Sequence, residues 1–337
     1  MNSTIDFRHQ PSRWERYDGE YAGLPVAPVP WPEESGPPPE AGSVAWRFEM
    51  NDWDDEDDAP DEGGPDEDDE GNEKVDAAFG WFFEHVDTTK VTAIVVGEWE
   101  SCYDTDPQDI IDQLVENADK LPALRSLFFG AITPDECMIT WIQQGDITEL
   151  LEAFPKLERL EARGGTDLFM QPVRHESLRT FRIETGALSD RVVRAVADSD
   201  LPALELLELW FGAATYGGNA TAADLAPIMS GDRLPSLRHL RLQNGEFQDD
   251  IAAALATAPI VARLESLSLS MGSLTDTGAE SLLTGQPLTH LRRLDLSRSY
   301  LSDAMMTRLT DALPDVELIL SDQDKAEGDW RYVAVSE

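Results

Sequence analysis

Cysteine is nearly absent: Cys102 and Cys137 are the only two in 337 residues. They form no CxxC motif and no disulfide framework. The five histidines, His9, His85, His175, His239 and His290, are scattered, and no HExxH occurs. Also missing are a Walker loop, a GxGxxG after a strand and a GxSxG. No cofactor and no metal is therefore expected. No apolar run approaches the roughly 20 residues of a membrane-spanning helix, and Met1–Gln10 lacks the apolar stretch of a signal peptide. A cytoplasmic location is the expectation. Basic residues are scarce too, with 26 Lys and Arg against 66 Asp and Glu, for a net charge of −40. Asp52–Glu73 holds fourteen of the acids and no Lys or Arg, so −26 lies elsewhere. Such a surface repels phosphate backbones and anionic headgroups, which argues against nucleic acid and membrane as partners. A basic protein or peptide is the better electrostatic match, although acidic charge also serves solubility alone.

What the chain does have is a repeat. L-x-x-L-x-L recurs as Leu124-Leu127-Phe129, Leu157-Leu160-Ala162, Leu178-Phe181-Ile183, Leu204-Leu207-Leu209, Leu237-Leu240-Leu242, Leu264-Leu267-Leu269 and Leu291-Leu294-Leu296. Successive starts lie 33, 21, 26, 33, 27 and 27 residues apart. Val91-Ile94-Val96 fits the frame upstream, Val316–Leu320 reads as a shortened closing strand, and Val44-Trp46-Phe48 as an opening one. Alternate residues of a strand face opposite sides, so one face of each motif is apolar. Helical stretches follow at Leu188–Asp198, Thr221–Ser230, Gln248–Ala258, Asp276–Leu283 and Ser302–Leu313, several opening on Ser-Asp or Thr-Asp caps. One strand and one helix cannot bury their apolar faces alone; stacked, they share a core.

These motifs resemble leucine-rich repeats of the ribonuclease-inhibitor type over roughly residues 90–320. The resemblance implies an α/β solenoid, a horseshoe with a curved parallel β-sheet on the concave face and helices on the convex face. The asparagine many such repeats carry three positions after the last Leu is replaced here by Ile132, Gly165, Gly186, Gly212, Gly245, Gly272 and Ser299, which suggests tight turns instead of an asparagine ladder. Trp141-Ile-Gln-Gln, Val173-Arg-His-Glu-Ser-Leu178 and Arg331-Tyr-Val-Ala-Val-Ser-Glu337 also resemble a bacterial leucine-rich-repeat family with no assigned activity.

The residue after the first Leu alternates as Arg125, Glu158, Arg179, Glu205, Arg238, Glu265 and Arg292. Unlike charges on neighbouring strands stabilise by roughly 0.2–1 kcal/mol per pair, so this reads as a ladder fixing register, not a ligand site. Outside the repeats, residues 1–42 are rich in proline and aromatics and are expected to be an extended arm capping the N-terminal end. The solenoid proper is placed at 43–320, with 52–73 as a disordered acidic insertion. An EF-hand loop starting at Asp66 would place Gly71 correctly but leaves Ala77 where the bidentate Glu belongs. The tail, 321–337, alternates Tyr332, Ala334 and Ser336 with Val333 and Val335, which suits a short strand closing the C-terminal end; a free peptide offered to a partner is the other reading.

Exposed positions on the concave face are expected at the third, fifth and seventh residues of each motif. In the middle of that face they gather Arg163, Arg182, Glu184, Glu208, Trp210, His239 and Arg241, with Tyr216 in an enlarged loop beside them. Trp and Arg are enriched at binding hot spots, so these eight residues are the candidate partner-binding site. Two structural readings stay open. Trp210 and Phe211 can equally cover the top of the core, and Glu161, Arg182, Glu208 and Arg241 also fit a second self-satisfied ladder. The cysteines read as small buried hydrophobes; an enzyme would need Cys102 or His239 in a pocket with a positioned carboxylate. The expectation is a non-enzymatic, monomeric protein or peptide recognition module. An accessory subunit presenting substrate to an enzyme encoded nearby is the alternative.

Overall fold

Each L-x-x-L-x-L motif forms one short strand in the computed structural model, and the strands stack in chain order. The structure describes residues 19–30, 32, 35–50, 70–328 and 330–336. The strands are β1 (Glu20–Tyr21), β2 (Leu24–Val29), β3 (Ala45–Met50), β4 (Ala93–Trp99), β5 (Ser126–Phe129) and β6 (Arg159–Arg163), then β7 (Thr180–Glu184), β8 (Leu206–Gly212), β9 (His239–Gly245), β10 (Ser266–Ser268), β11 (Arg293–Asp295) and β12 (Glu317–Ile319). They form one open sheet in sequential order, parallel except for the β1–β2 hairpin. The motif frames align in register: Leu127 is paired with Leu160, Leu160 with Phe181, Leu207 with Leu240 and Leu267 with Leu294.

Helices α1 (Glu70–His85), α2 (Gln108–Glu116), α3 (Ile147–Ala153), α4 (Asp190–Asp198), α5 (Ala226–Ser230), α6 (Gln248–Leu255), α7 (Asp276–Thr284) and α8 (Asp303–Ala312) return the chain between strands. The Ser-Asp and Thr-Asp openings are caps: Ser189 accepts from the Arg191 amide, Thr275 from Thr277 and Ser302 from Met305. These bonds satisfy amides that the first helical turn leaves free. Between sheet and helices one apolar core runs without a break from Ala27 to Val316. The motif Val173–Leu178 is a staple within this frame. His175 is buried, accepts from the Leu178 amide at Nδ1 and meets the Phe154 carbonyl at Nε2, 3.1 Å away. Burial pushes its pKa down, in keeping with a neutral ring that donates from Nε2.

The ladder of alternating charge forms ion pairs Arg125–Glu158, Arg179–Glu205 and Arg292–Glu265. Arg238 turns instead to the carbonyls of Pro235 and Leu237.

Three expectations change. Residues 24–29 are not an arm outside the sheet: β2 pairs in parallel with β3. Pro25 and Pro28 lack ladder donors, but β2 lies next to the sheet edge, where prolines are tolerated. Residues 70–73 begin helix α1 and are not part of an insertion; residues 52–69 of the expected acidic insertion, and 1–18 of the expected cap, lie outside the described residues. The tail does alternate, with Val333 and Val335 buried and Tyr332 and Ala334 exposed. It does not close the C-terminal end of the sheet. It runs back over earlier repeats, past Asn244 to Gly186.

Candidate functional site

Strands β6 to β9 bring the predicted residues together, because parallel pairing places equivalent positions of successive motifs side by side about 4.8 Å apart. Glu161 is paired with Arg182, Arg163 with Glu184, Arg182 with Glu208 and Glu208 with Arg241. The side chains repeat the pairing. Arg159 reaches Glu161 at 2.9 Å, and Arg182 bonds Glu161 at 2.7 Å and Glu208 at 2.9 Å. Arg241 bonds the same Glu208 oxygen at 2.9 Å. Arg163 bonds Glu184 at 3.0 Å, and Arg182 lies 3.9 Å from Glu184. Four guanidinium groups and three carboxylates thus form one chain across four strands. Burial acts to lower the Arg182 pKa, but Glu161, Glu208 and Glu184 outweigh it and raise it. The fifth-position residues are a self-satisfied ladder.

Their exposure was the wrong expectation. Arg163, Arg182, Glu184, Glu208, Trp210, His239 and Arg241 are all buried, Glu184 completely. Cross-strand bonding closes these side chains over one another. At the upper rim, where strands end, two segments pack on top. The Ile132 carbonyl accepts from Arg163 Nε at 2.8 Å, and Ile139 from the same loop joins Trp210, Met271 and Val335 in a separate apolar cluster. Trp210 is 5% exposed, and its Nε1 donates to Glu208 at 3.0 Å. Phe211 faces the core against Phe247, ring centroids 5.0 Å apart. Only Tyr216 among the eight is open, on a 3-10 turn after β8. Toward the N-terminal end the same face becomes apolar, with Tyr21, Ala45, Ala93, Val95, Phe128 and Ala131 buried together.

The two groups named for an enzymatic reading, His239 and Cys102, are each buried beside a polar neighbour. His239 meets Ser266 Oγ at 2.9 Å, and its pKa is pushed down to about 4 by burial and then by Arg241, Arg292 and Arg238. Cys102 and Cys137 are free, buried and adjacent. The neighbouring Cys137, burial and the Glu98 carboxyl 4.0 Å away push the Cys102 thiol far up, away from the nucleophilic thiolate. Among the described residues no three His, Cys, Asp or Glu side chains converge on a metal-sized site, and no helix is long and apolar enough to cross a membrane.

The sequence reading overlooked Asn244, Tyr300 and Met271. Asn244 has left-handed backbone geometry, φ 56°. Its side-chain amide donates to the Val335 carbonyl at 2.5 Å and accepts from the Val335 amide at 2.9 Å. An asparagine one residue before Gly245 was the available signal, but its partner is 91 residues away.

A leucine-rich-repeat family profile matches residues 233–256, the stretch that runs through β9 into α6. A crystal structure of a protein from Bacteroides fragilis superposes with a TM-score of 0.72 at 30% identity, over 77% of this chain and 73% of that one. The chain belongs to the leucine-rich-repeat family. An internalin from Listeria monocytogenes is 18% identical, with a TM-score of 0.39 over 71% of this chain and 55% of its own. No curated protein matches the sequence. Leucine-rich-repeat solenoids present extended surfaces used for binding, which places this chain in the class of protein-interaction modules.

Proposed function

We propose that this leucine-rich-repeat protein is a cytoplasmic, non-enzymatic recognition module whose contact surface is the upper rim of the concave face, not its floor. One observation carries the reading. The exposed large hydrophobic side chains among the described residues are Tyr103, Met138, Trp141, Phe169, Tyr216, Trp330 and Tyr332, and every one lies in a segment that follows the C-terminal end of a strand. Trp141 is 55% exposed and Trp330 71%. Trp and Tyr leave large apolar area in water when free and are enriched at binding hot spots. The floor below is neutralised by its own pairs and serves as a rigid platform. The partner is a protein or peptide, and the net charge of −40 favours one with a basic surface. The test is capture from the native cytoplasm with tagged wild type beside a Trp141→Ala/Tyr216→Ala variant. A partner lost by the variant supports the rim; a specific partner held equally by both sinks it.

A further inference from the structure

We infer that the rim over β7 to β11 is a peptide-docking track, closed in cis by the chain's own C-terminal segment, and that its ligand is an extended segment of a partner protein carrying small β-branched apolar residues two positions apart. The inference rests on the rim reading above and adds the ligand's chemistry and a mode of regulation.

The grip is the argument. Asn244 holds both main-chain groups of Val335. The Ala334 amide donates to the Met271 carbonyl at 2.8 Å. Tyr300 Oη accepts from the Tyr332 amide at 2.7 Å and donates to the Tyr332 carbonyl at 2.9 Å. All five bonds go to tail main chain, which any extended segment offers, as in recognition by strand addition. Side-chain selectivity comes from two sockets. Val335 is 2% exposed against Ile139, Trp210 and Met271, and Val333 is also buried. Thr140 and Ser336 both close on Gly186, which marks the far end of the track. The alternate residues, Tyr332 and Ala334, are exposed. Upstream, Asp324–Gly328 are exposed and form a short leash, so the tail sits at a high effective concentration and a partner must outcompete it.

The test uses the full chain. Val335→Asp puts a carboxylate into the apolar socket and releases the tail. A fluorescein-labelled peptide of sequence Trp-Arg-Tyr-Val-Ala-Val-Ser should then bind the Val335→Asp chain at least tenfold tighter than the wild type. Adding Asn244→Ala should weaken that binding at least tenfold. A Val335→Asp chain that melts like the wild type yet binds the peptide no better, or binds equally without Asn244, overturns the track. Hydrogen exchange on the wild type serves if the variant misfolds: excess unlabelled peptide should speed exchange of the chain's own Ala334 and Val335 amides severalfold, and no change overturns the proposal. Dimers formed on mixing Val335→Asp with wild type would make a second copy the occupant and refute a partner segment. Failure of the peptide while Trp141 and Tyr216 still govern partner capture removes the track alone; failure of both removes the rim as well.

Discussion

Arg182→Met tests whether the charged floor is a sealed structural element. Arg182 is buried between Glu161 at 2.7 Å and Glu208 at 2.9 Å, with Glu184 at 3.9 Å. Methionine keeps most of the volume and removes the charge. Glu161 then retains Arg159, Glu208 retains Arg241 and Glu184 retains Arg163, but three buried carboxylates lose the guanidinium at their centre. Removing one member of a buried ion network costs about 3–5 kcal/mol, because the remaining charge stays desolvated. For a chain of this size that corresponds to a fall in melting temperature on the order of 2 °C per kcal/mol, or roughly 6–10 °C. Adding Glu208→Gln and Arg241→Gln to Arg182→Met should recover much of the loss, since the remaining Arg159–Glu161 and Arg163–Glu184 pairs leave no buried charge unpaired. Circular dichroism melts of the wild type, the single and the triple variant measure it. A loss under 1 kcal/mol for the single variant, the range of a surface pair, would refute the sealed floor; so would a triple variant that is worse by the sum of its parts.

Three other outcomes are expected. Gly212→Ala should destabilise by about 4 kcal/mol: φ is 68°, and a Cβ there falls 1.7 Å from the Gly186 carbonyl oxygen; urea unfolding with a shift under 1 kcal/mol would contradict the close approach. His239 is held near 4, below the ordinary imidazole value, so the unfolded chain takes up the proton first. Its neutral state is undisturbed above about pH 6.5, and stability falls as the pH drops toward 4, by about 2 kcal/mol once solvent screening is allowed for. His239→Gln should lessen that decline, and an equal loss of urea midpoint between pH 7 and 4.5 in variant and wild type would count against it. Cys102, with its thiol pushed up, should alkylate with iodoacetamide at pH 7.5 at under a tenth the rate of a free cysteine; rapid labelling, read by mass spectrometry, would show that the thiol is not shielded.

The repeat was legible because its period is local. Leu204, Leu207 and Leu209 announce a strand within six residues, and Ser302 announces α8 through its own first turn. The charge ladder was legible for the same reason, since neighbouring motifs are neighbouring strands. What could not be read was burial on the concave side. Alternation says that Arg182 and Glu208 point away from the leucine core; it cannot say that their charges meet, nor that a loop and a tail settle on the neighbouring Arg163 and Trp210. Ile139 reaches Trp210 across two repeats, and Val335 reaches Asn244 from the far end of the chain. Contacts of that separation leave no periodic trace. Helix α1 was missed because its first turn is written in the same acids as the run before it.

Repeat arrays lose their outermost units first, because each unit leans only on the next. Here the tail ties Tyr300, Met271 and Asn244 to one another from outside the sheet. The tail is a lacing: it fastens three neighbouring repeats to one strip of main chain, so those repeats lean on more than their nearest neighbours.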